Sequence, residues 1–251
     1  MSFANKVVIV TGGSSGIGAA TAIAFTKEGA NVVIVGRNEE KLNNVAEKCI
    51  NAGKKPLVIK SDITHDGEAE RIIKETTEAF EKIDILINNA GLVRFANILD
   101  DITLETYDLV MNTNLRSQIR ITQVVAPFLI KSKGNIVNVS SVVSKGRPTN
   151  PLLLMYSMSK AAFDQFSRGV AADLGPHGVR VNTISPGCVE TDILINAGLN
   201  QSMTDSLLDV PLRKISQSEE IADIILFITS EKANSITGSD YNVDNGYLLK
   251  Y

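Results

Sequence analysis

The chain has 251 residues, 44% hydrophobic and 21% charged, with 18 Gly and 7 Pro. That is ordinary globular composition, which excludes disordered, collagen-like and coiled-coil classes. Its 25 basic and 28 acidic side chains leave a formal charge of −3, and with no basic excess or run a nucleic-acid partner is not expected. Cys49, Cys188, His65 and His177 are scattered along the chain, so neither a disulfide framework nor a zinc site is expected. No stretch approaches the ~20 apolar residues of a membrane span. The run Val7–Val10 is too short for a signal-peptide core, and a cytoplasmic protein is the expectation.

Short Val- and Ile-rich runs alternate with amphipathic stretches. Residues 6–11 predict a first strand, followed by a glycine-rich turn and a helix over 16–28 that stops at Gly29, a residue suited to C′. A strand is expected over 31–36, a helix over 39–51 before Gly53, a strand over 56–60, and a helix over 66–80 with Thr64 as its candidate cap. Next come a strand over 83–88 and a long helix from about 104 to 131, with Thr103 as N-cap and Pro127 as a kink site. A strand over 134–140, a helix over 152–174 ending at Gly175-Pro176, and a strand over 178–184 follow. A helix over 218–229, opening on Ser218-Glu219-Glu220, and a strand over 239–243 complete the series. Strands apolar on both faces belong in a parallel sheet covered by helices. Seven strands and six helices, with no repeat or linker, predict one domain over 1–251. The expected fold is a Rossmann-like, doubly wound α/β domain with a seven-stranded, mostly parallel sheet and strand one near its middle.

The turn after strand one reads Thr11-Gly12-Gly13-Ser14-Ser15-Gly16-Ile17-Gly18. Gly12 permits a positive-φ turn. Gly16 lets amides approach a pyrophosphate at the helix N-terminus, and Gly18 removes a side chain where helix meets sheet. Strand two ends Val35-Gly36-Arg37-Asn38 without the acid that would hold a ribose 2′-hydroxyl. Arg37 offers a fork for a 2′-phosphate instead. A charge-assisted hydrogen bond of roughly 1.5–3 kcal/mol is one to two decades of preference. NADP(H) is therefore expected over NAD(H), although no second basic residue stands at Ser15.

Tyr156 and Lys160 are four residues apart on a predicted helix and share one face. That helix follows a strand ending in Ser140-Ser141, where strand C-termini meet ligands. An ammonium ~4 Å from a phenol contributes up to about 4 kcal/mol at an effective dielectric of ~20. That lowers its pKa by up to roughly three units from ~10, into general acid–base range.

With these residues the chain resembles the short-chain dehydrogenase/reductase family over essentially its whole length. The motifs occur in family order: Thr11-Gly12…Gly16-Ile17-Gly18, Asn88-Asn89-Ala90-Gly91, Asn114, Ser141, Tyr156…Lys160 and Pro186-Gly187. The resemblance implies a catalytic set of Asn114, Ser141, Tyr156 and Lys160. Tyr156 would exchange a proton with the substrate oxygen, and Ser141 would hydrogen-bond that oxygen. Lys160 would hold the nicotinamide ribose and lower the Tyr156 pKa, and Asn114 would hold a water linking Lys160 to solvent. Ser14 and Ser15 belong to the nucleotide loop. Asp62 is implied at the adenine amino group and Ile63 against its ring. Asn89, Ala90 and Gly91 lie beside the adenosine, Pro186 and Gly187 under the nicotinamide, and Val189 and Thr191 at its carboxamide. The chain departs from the pattern at Ser144 and Asn245, where glycine is frequent, and in a slightly long Ser141–Tyr156 spacing. Ser140 is the alternative to Ser141.

Leu152, Leu153, Leu154 and Met155 precede Tyr156, Ile193-Leu194-Ile195 open a candidate lid over about 188–210, and Val93 and Phe95 follow the Asn-Asn-Ala-Gly turn. Such a border suits a lipophilic carbonyl or secondary alcohol: a steroid, isoprenoid, acyl chain or xenobiotic. By resemblance, the helices over 104–131 and 154–174 make a homotetramer, with a dimer as the alternative. The rival function is a catalytically silent, cofactor-sensing protein. A hydrolase is disfavoured, because no Gly-x-Ser-x-Gly elbow is present.

Overall fold

The computed structural model describes residues 3–145, 150–193 and 209–250. Its strands are β1 (Val7–Thr11), β2 (Asn31–Gly36), β3 (Leu57–Lys60), β4 (Ile85–Asn88), β5 (Asn135–Val139), β6 (Arg180–Pro186) and β7 (Asp240–Val243). The helices are α1 (Gly16–Lys27), α2 (Glu39–Ala52), α3 (Glu68–Phe80), α4 (Thr103–Met111), α5 (Ser117–Ser132), α6 (Leu154–Leu174) and α7 (Ser218–Thr229). The strands form one sheet in the order β3-β2-β1-β4-β5-β6-β7, and every pairing is parallel. The chain direction across the sheet reverses between β1 and β4. In a doubly wound sheet that reversal opens a crevice at the strand C-termini.

Alternation along the strands explains their Val- and Ile-rich runs. In β1, Val8 and Val10 face one side with Phe25 of α1, Leu42 of α2 and Ile221 of α7. Ile9 faces the other, with Ile72 of α3, Ile121 of α5 and Ala171 of α6. Both faces of β1 are covered by apolar side chains, which is why its run carries no polar alternation.

Local corrections follow from hydrogen bonds. Thr64 does not cap α3: its amide and hydroxyl both donate to Asp62 Oδ1, at 3.0 and 2.7 Å, and the helix begins after Gly67. Thr103 is the first residue of α4 rather than its cap, with its hydroxyl on the Asp100 carbonyl at 2.7 Å. The long helix is interrupted not at Pro127, which lies inside α5, but by a π-helical turn over Asn112–Arg116. There the Ser117 amide reaches back to the Asn112 carbonyl. β6 starts two residues later than expected, because Gly178 closes a 3₁₀ turn in the left-handed region. It runs on to Pro186, paired with Val243.

Close packing joins α1 to the turn before it. A Cβ on Gly18 would lie 2.3 Å from the Gly12 carbonyl oxygen and 2.5 Å from Asn89 Nδ2. Gly18→Ala should therefore lower stability by about 1–3 kcal/mol, the cost of overpacking, in urea unfolding. An unchanged midpoint and slope would contradict that close approach.

Candidate active site

β1 delivers the glycine turn to the reversal point of the sheet. Gly12 and Gly16 have φ of +64° and +52°, so both turns need residues without a Cβ penalty. The Thr11 hydroxyl donates to the Ile87 carbonyl at 3.2 Å and accepts from the amides of Asn89 and Ala90, each at 3.0 Å. The Asn89 side chain returns the tie, its Nδ2 donating to the carbonyls of Thr11 and Gly12 at 2.9 and 3.2 Å. Ser15 is the N-cap of α1, yet its side chain makes no capping hydrogen bond. The first-turn amides thus have no side-chain cap and meet an anion's requirements. Ser14 lies against Gly36 at the tip of β2, and Thr191 against Gly16. This glycine cradle and uncapped helix end fit a dinucleotide pyrophosphate.

On the opposite side of the reversal point, α6 buries Tyr156 and Lys160 on one face. The Ser141 hydroxyl faces the Tyr156 phenol and favours its ionised form. Its neighbour Ser140 points away, with Oγ 3.5 Å from the Lys160 carbonyl, so Ser141 is the hydroxyl that meets the phenol. Lys160 Nζ donates to the Val139 carbonyl at 2.8 Å and lies 5.8 Å from the centre of the Tyr156 ring. Asn114 sits fully buried in the π-helical turn. Its side chain accepts from the Leu92 amide at 2.8 Å and donates to the Leu92 carbonyl at 2.9 Å and to Ser159 Oγ at 3.1 Å. Gly91 lies between Asn114 and Lys160: a Cβ there would stand 3.3 Å from Asn114 Oδ1 and 3.7 Å from Lys160 Nζ.

Residues 12–248 match the family model described as enoyl-(acyl carrier protein) reductase. A 3-oxoacyl-[acyl-carrier-protein] reductase of Thermotoga maritima is 33% identical over 99% of this chain and 100% of its own length. A glucose dehydrogenase of Caenorhabditis elegans, solved without ligand, is 40% identical with a TM-score of 0.86, covering 99% of this chain and 100% of its own. A short-chain dehydrogenase of Burkholderia cenocepacia, solved with NADP, is 31% identical with a TM-score of 0.91, covering 98% and 99%. The chain belongs to the short-chain dehydrogenase/reductase family. It is an oxidoreductase of that family, with the doubly wound parallel sheet the pattern predicts.

The remaining residues assigned by resemblance to this family also gather at the C-terminal edge of the sheet. Arg37 is largely exposed and 3.6 Å from Asp62 Oδ2. Burial raises the Asp62 pKa, but hydrogen bonds from Thr64 and the Arg37 charge outweigh it and leave the carboxyl below its ordinary value. Ile63 packs on the core beside it. Pro186 ends β6, the Gly187 amide donates to the Val243 carbonyl at 2.9 Å, and Val189 is buried. Of the expected lid over 188–210, residues 194–208 lie outside the described residues. Among the described residues no helix is long and apolar enough to cross a membrane.

A buried polar network behind the site is not anticipated from the sequence: Asn88 stands in a motif without a role, and Asn138, Thr122, Ser167 and Gln118 are not singled out. Asn88 donates to Thr122 Oγ1 at 3.0 Å and to Asn138 Oδ1 at 2.8 Å, and Asn138 donates to Ser167 Oγ at 2.7 Å. Gln118 donates to the Ala90 carbonyl at 2.7 Å. The available signal was an Asn at position 138 flanked on both sides by valine within strand β5.

Burial, not mutual attraction, governs the charge states of the pair. Burial pushes the Tyr156 phenol up to about 12, only partly offset by Ser141. Burial also brings Lys160 down to about 8, partly offset by the Asp164 charge. Both heads are dry and the ammonium is turned to Val139, so desolvation exceeds their mutual attraction. The unfolded chain binds the Lys160 proton up to its ordinary 10.5, whereas the folded protein releases it near 8. Stability therefore rises with pH between those values. Relative to Lys160→Met, the wild type should gain about 2 kcal/mol between pH 7.5 and 9.5 in urea unfolding. A pH-independent difference would contradict the burial of that charge.

Proposed function

We propose that the protein is an NADP(H)-dependent reductase or dehydrogenase that interconverts a carbonyl and a secondary alcohol. The observation that carries this reading is the convergence of Ser141, Tyr156 and Lys160 across the sheet reversal from the Gly12–Gly18 turn. Gly12, Ser14, Ser15, Gly16, Ile17 and Gly18 hold the pyrophosphate. Arg37 takes the 2′-phosphate. Its exposed ion pair with Asp62 is weak, so a dianion competes for the guanidinium at little cost. Asp62 and Ile63 meet the adenine, and Asn89, Ala90 and Gly91 flank the adenosine. Pro186, Gly187, Val189 and Thr191 receive the nicotinamide, which supplies or takes up the hydride.

The chain's own groups handle the proton. Ser141 hydrogen-bonds the substrate oxygen and orients it toward Tyr156. The neutral phenol donates a proton as alkoxide character develops, or accepts one in the oxidative direction. Lys160 holds the ribose and places positive charge near the phenol, and Asn114 keeps the Leu92 turn and the Lys160 side chain in register. Val93, Phe95, Leu152, Leu153, Leu154 and Met155 form an apolar border, which favours a lipophilic or acyl-chain carbonyl. The Thermotoga relative named for 3-oxoacyl groups points the same way. The glucose dehydrogenase relative makes a sugar the second candidate. Exposed Leu104, Leu109 and Ile119 on α4 and α5 support a homotetramer through those helices.

NADPH should raise the melting temperature more than NADH at equal concentration, and Arg37→Asp should invert that order. Equal shifts, or an order unchanged in the variant, would remove the 2′-phosphate contact. Turnover of acetoacetyl-coenzyme A with NADPH, and of D-glucose with NADP⁺, should be read by absorbance. Tyr156→Phe should lower the turnover that is found by about 100-fold or more, and a near-normal rate would remove Tyr156 as the acid.

A further inference from the structure

Asp164 stands on α6 one turn beyond Lys160 and two beyond Tyr156, and is buried with them. Steps of four residues put all three on one helix face. Asp164 Oδ2 lies 2.6 Å from the Ser144 hydroxyl. The same hydroxyl lies 2.7 Å from the carbonyl oxygen of Ser141, which also accepts the Ser144 amide at 3.1 Å. Ser144 therefore ties the 3₁₀ turn Val142–Ser144, whose N-cap is Ser141, to the helix that carries Tyr156.

We propose that Asp164 is a positioning residue for the reaction, fixing the turn that carries Ser141 through the Ser144 hydroxyl. The inference rests on the reading of Ser141 and Tyr156 as the groups that meet the substrate oxygen. Those two hydroxyls come from different elements, β5's exit turn and α6. Their separation is set by whatever joins the elements. A displacement near 1 Å is enough to lose up to about 10²-fold in rate. The Asp164–Ser144–Ser141 chain is a direct tie between them, placed one turn beyond Lys160 and two beyond Tyr156 on α6.

Four other groups face the Asp164 carboxyl. They are Ser140 at the end of β5, Lys160 on α6, Lys145 in the turn, and Asp240 on β7, itself 2.7 Å from Lys145. Burial pushes the carboxyl up. The Ser140 and Ser144 hydroxyls oppose that, Asp240 adds to it, and Lys145 opposes it. Asn at position 164 both donates and accepts, so it serves Ser144 in whichever sense Asp164 does.

The test uses the full chain, NADPH and whichever carbonyl probe the wild type turns over. Ser144→Ala and Asp164→Ala should each lower kcat about tenfold, the order of one lost hydrogen bond. KM for NADPH should stay within about twofold. The double variant should fall no further than the weaker single variant, since both substitutions cut one chain. Asp164→Asn should retain most of the wild-type kcat. If Asp164→Ala does not fold, Ser144→Ala and Asp164→Asn decide the matter. Wild-type kcat in Ser144→Ala, losses that multiply in the double variant, or Asp164→Asn as impaired as Asp164→Ala would each overturn the proposal. Failure of the two readings is distinguishable. An active wild type, an inactive Tyr156→Phe and an unimpaired Ser144→Ala remove the Asp164 role alone. A wild type inert toward every carbonyl probe removes the reductase reading and this inference with it.

Discussion

A phenol and an ammonium, both withdrawn from water onto one face of α6, set the conditions for everything around them. Desolvation opposes the charged form of each, so Tyr156 is held as a neutral acid and Lys160 as a readily deprotonated amine. A neutral phenol is the right state for giving a proton to a carbonyl oxygen. It is the wrong state for taking one from an alcohol until positive charge arrives. Under the proposed function, the protein alone is thus tuned toward one half of the chemistry, and the positive charge of a bound oxidised nicotinamide would supply the field that the other half needs.

Such a pair is useful only where a nucleotide can reach it, and the sheet decides that place. The reversal between β1 and β4 brings the glycine turn and the Asn89–Gly91 segment to one crevice. The exits of β5 and β6 complete its wall. Buried polar side chains then fix these loops to each other. Thr11 ties β1 to the turn after β4, Asn114 grips the backbone of Leu92, and Asn88 joins Asn138 across two strands. Each such tie satisfies groups that would otherwise cost free energy when buried. The rigidity of the crevice and the dryness of the core therefore come from the same hydrogen bonds.

Much of this was legible in the chain. Nearly continuous Val and Ile runs marked the strands, and all seven appear within two residues of their expected bounds. Gly12, Gly16 and Gly18 carried the turn because a missing Cβ is a local requirement, visible without knowing the partner. Ends of elements were less legible. Thr64 satisfied its hydroxyl on Asp62 rather than on α3, a choice between two short-range hydrogen bonds that composition does not distinguish. The π-helical turn around Asn114 was invisible, since it depends on the fit of α4 and α5 to Leu92 and α6. Strand order was left open, because pattern gives the strands but not which neighbours pair.

The same limit governed the Tyr156–Lys160 pair. Spacing put the residues on one face, but their charge states depend on burial and on the Val139 carbonyl, which lies 21 positions away in the chain. Ultraviolet difference titration of the wild type against Tyr156→Phe reads the ionisation of that one phenol, with and without NADP⁺. The account predicts no Tyr156 ionisation in the protein alone up to pH ~10, the ordinary phenol value, and ionisation below it once NADP⁺ is bound. A Tyr156 that ionises near neutrality without the nucleotide, or one indifferent to its binding, would contradict it.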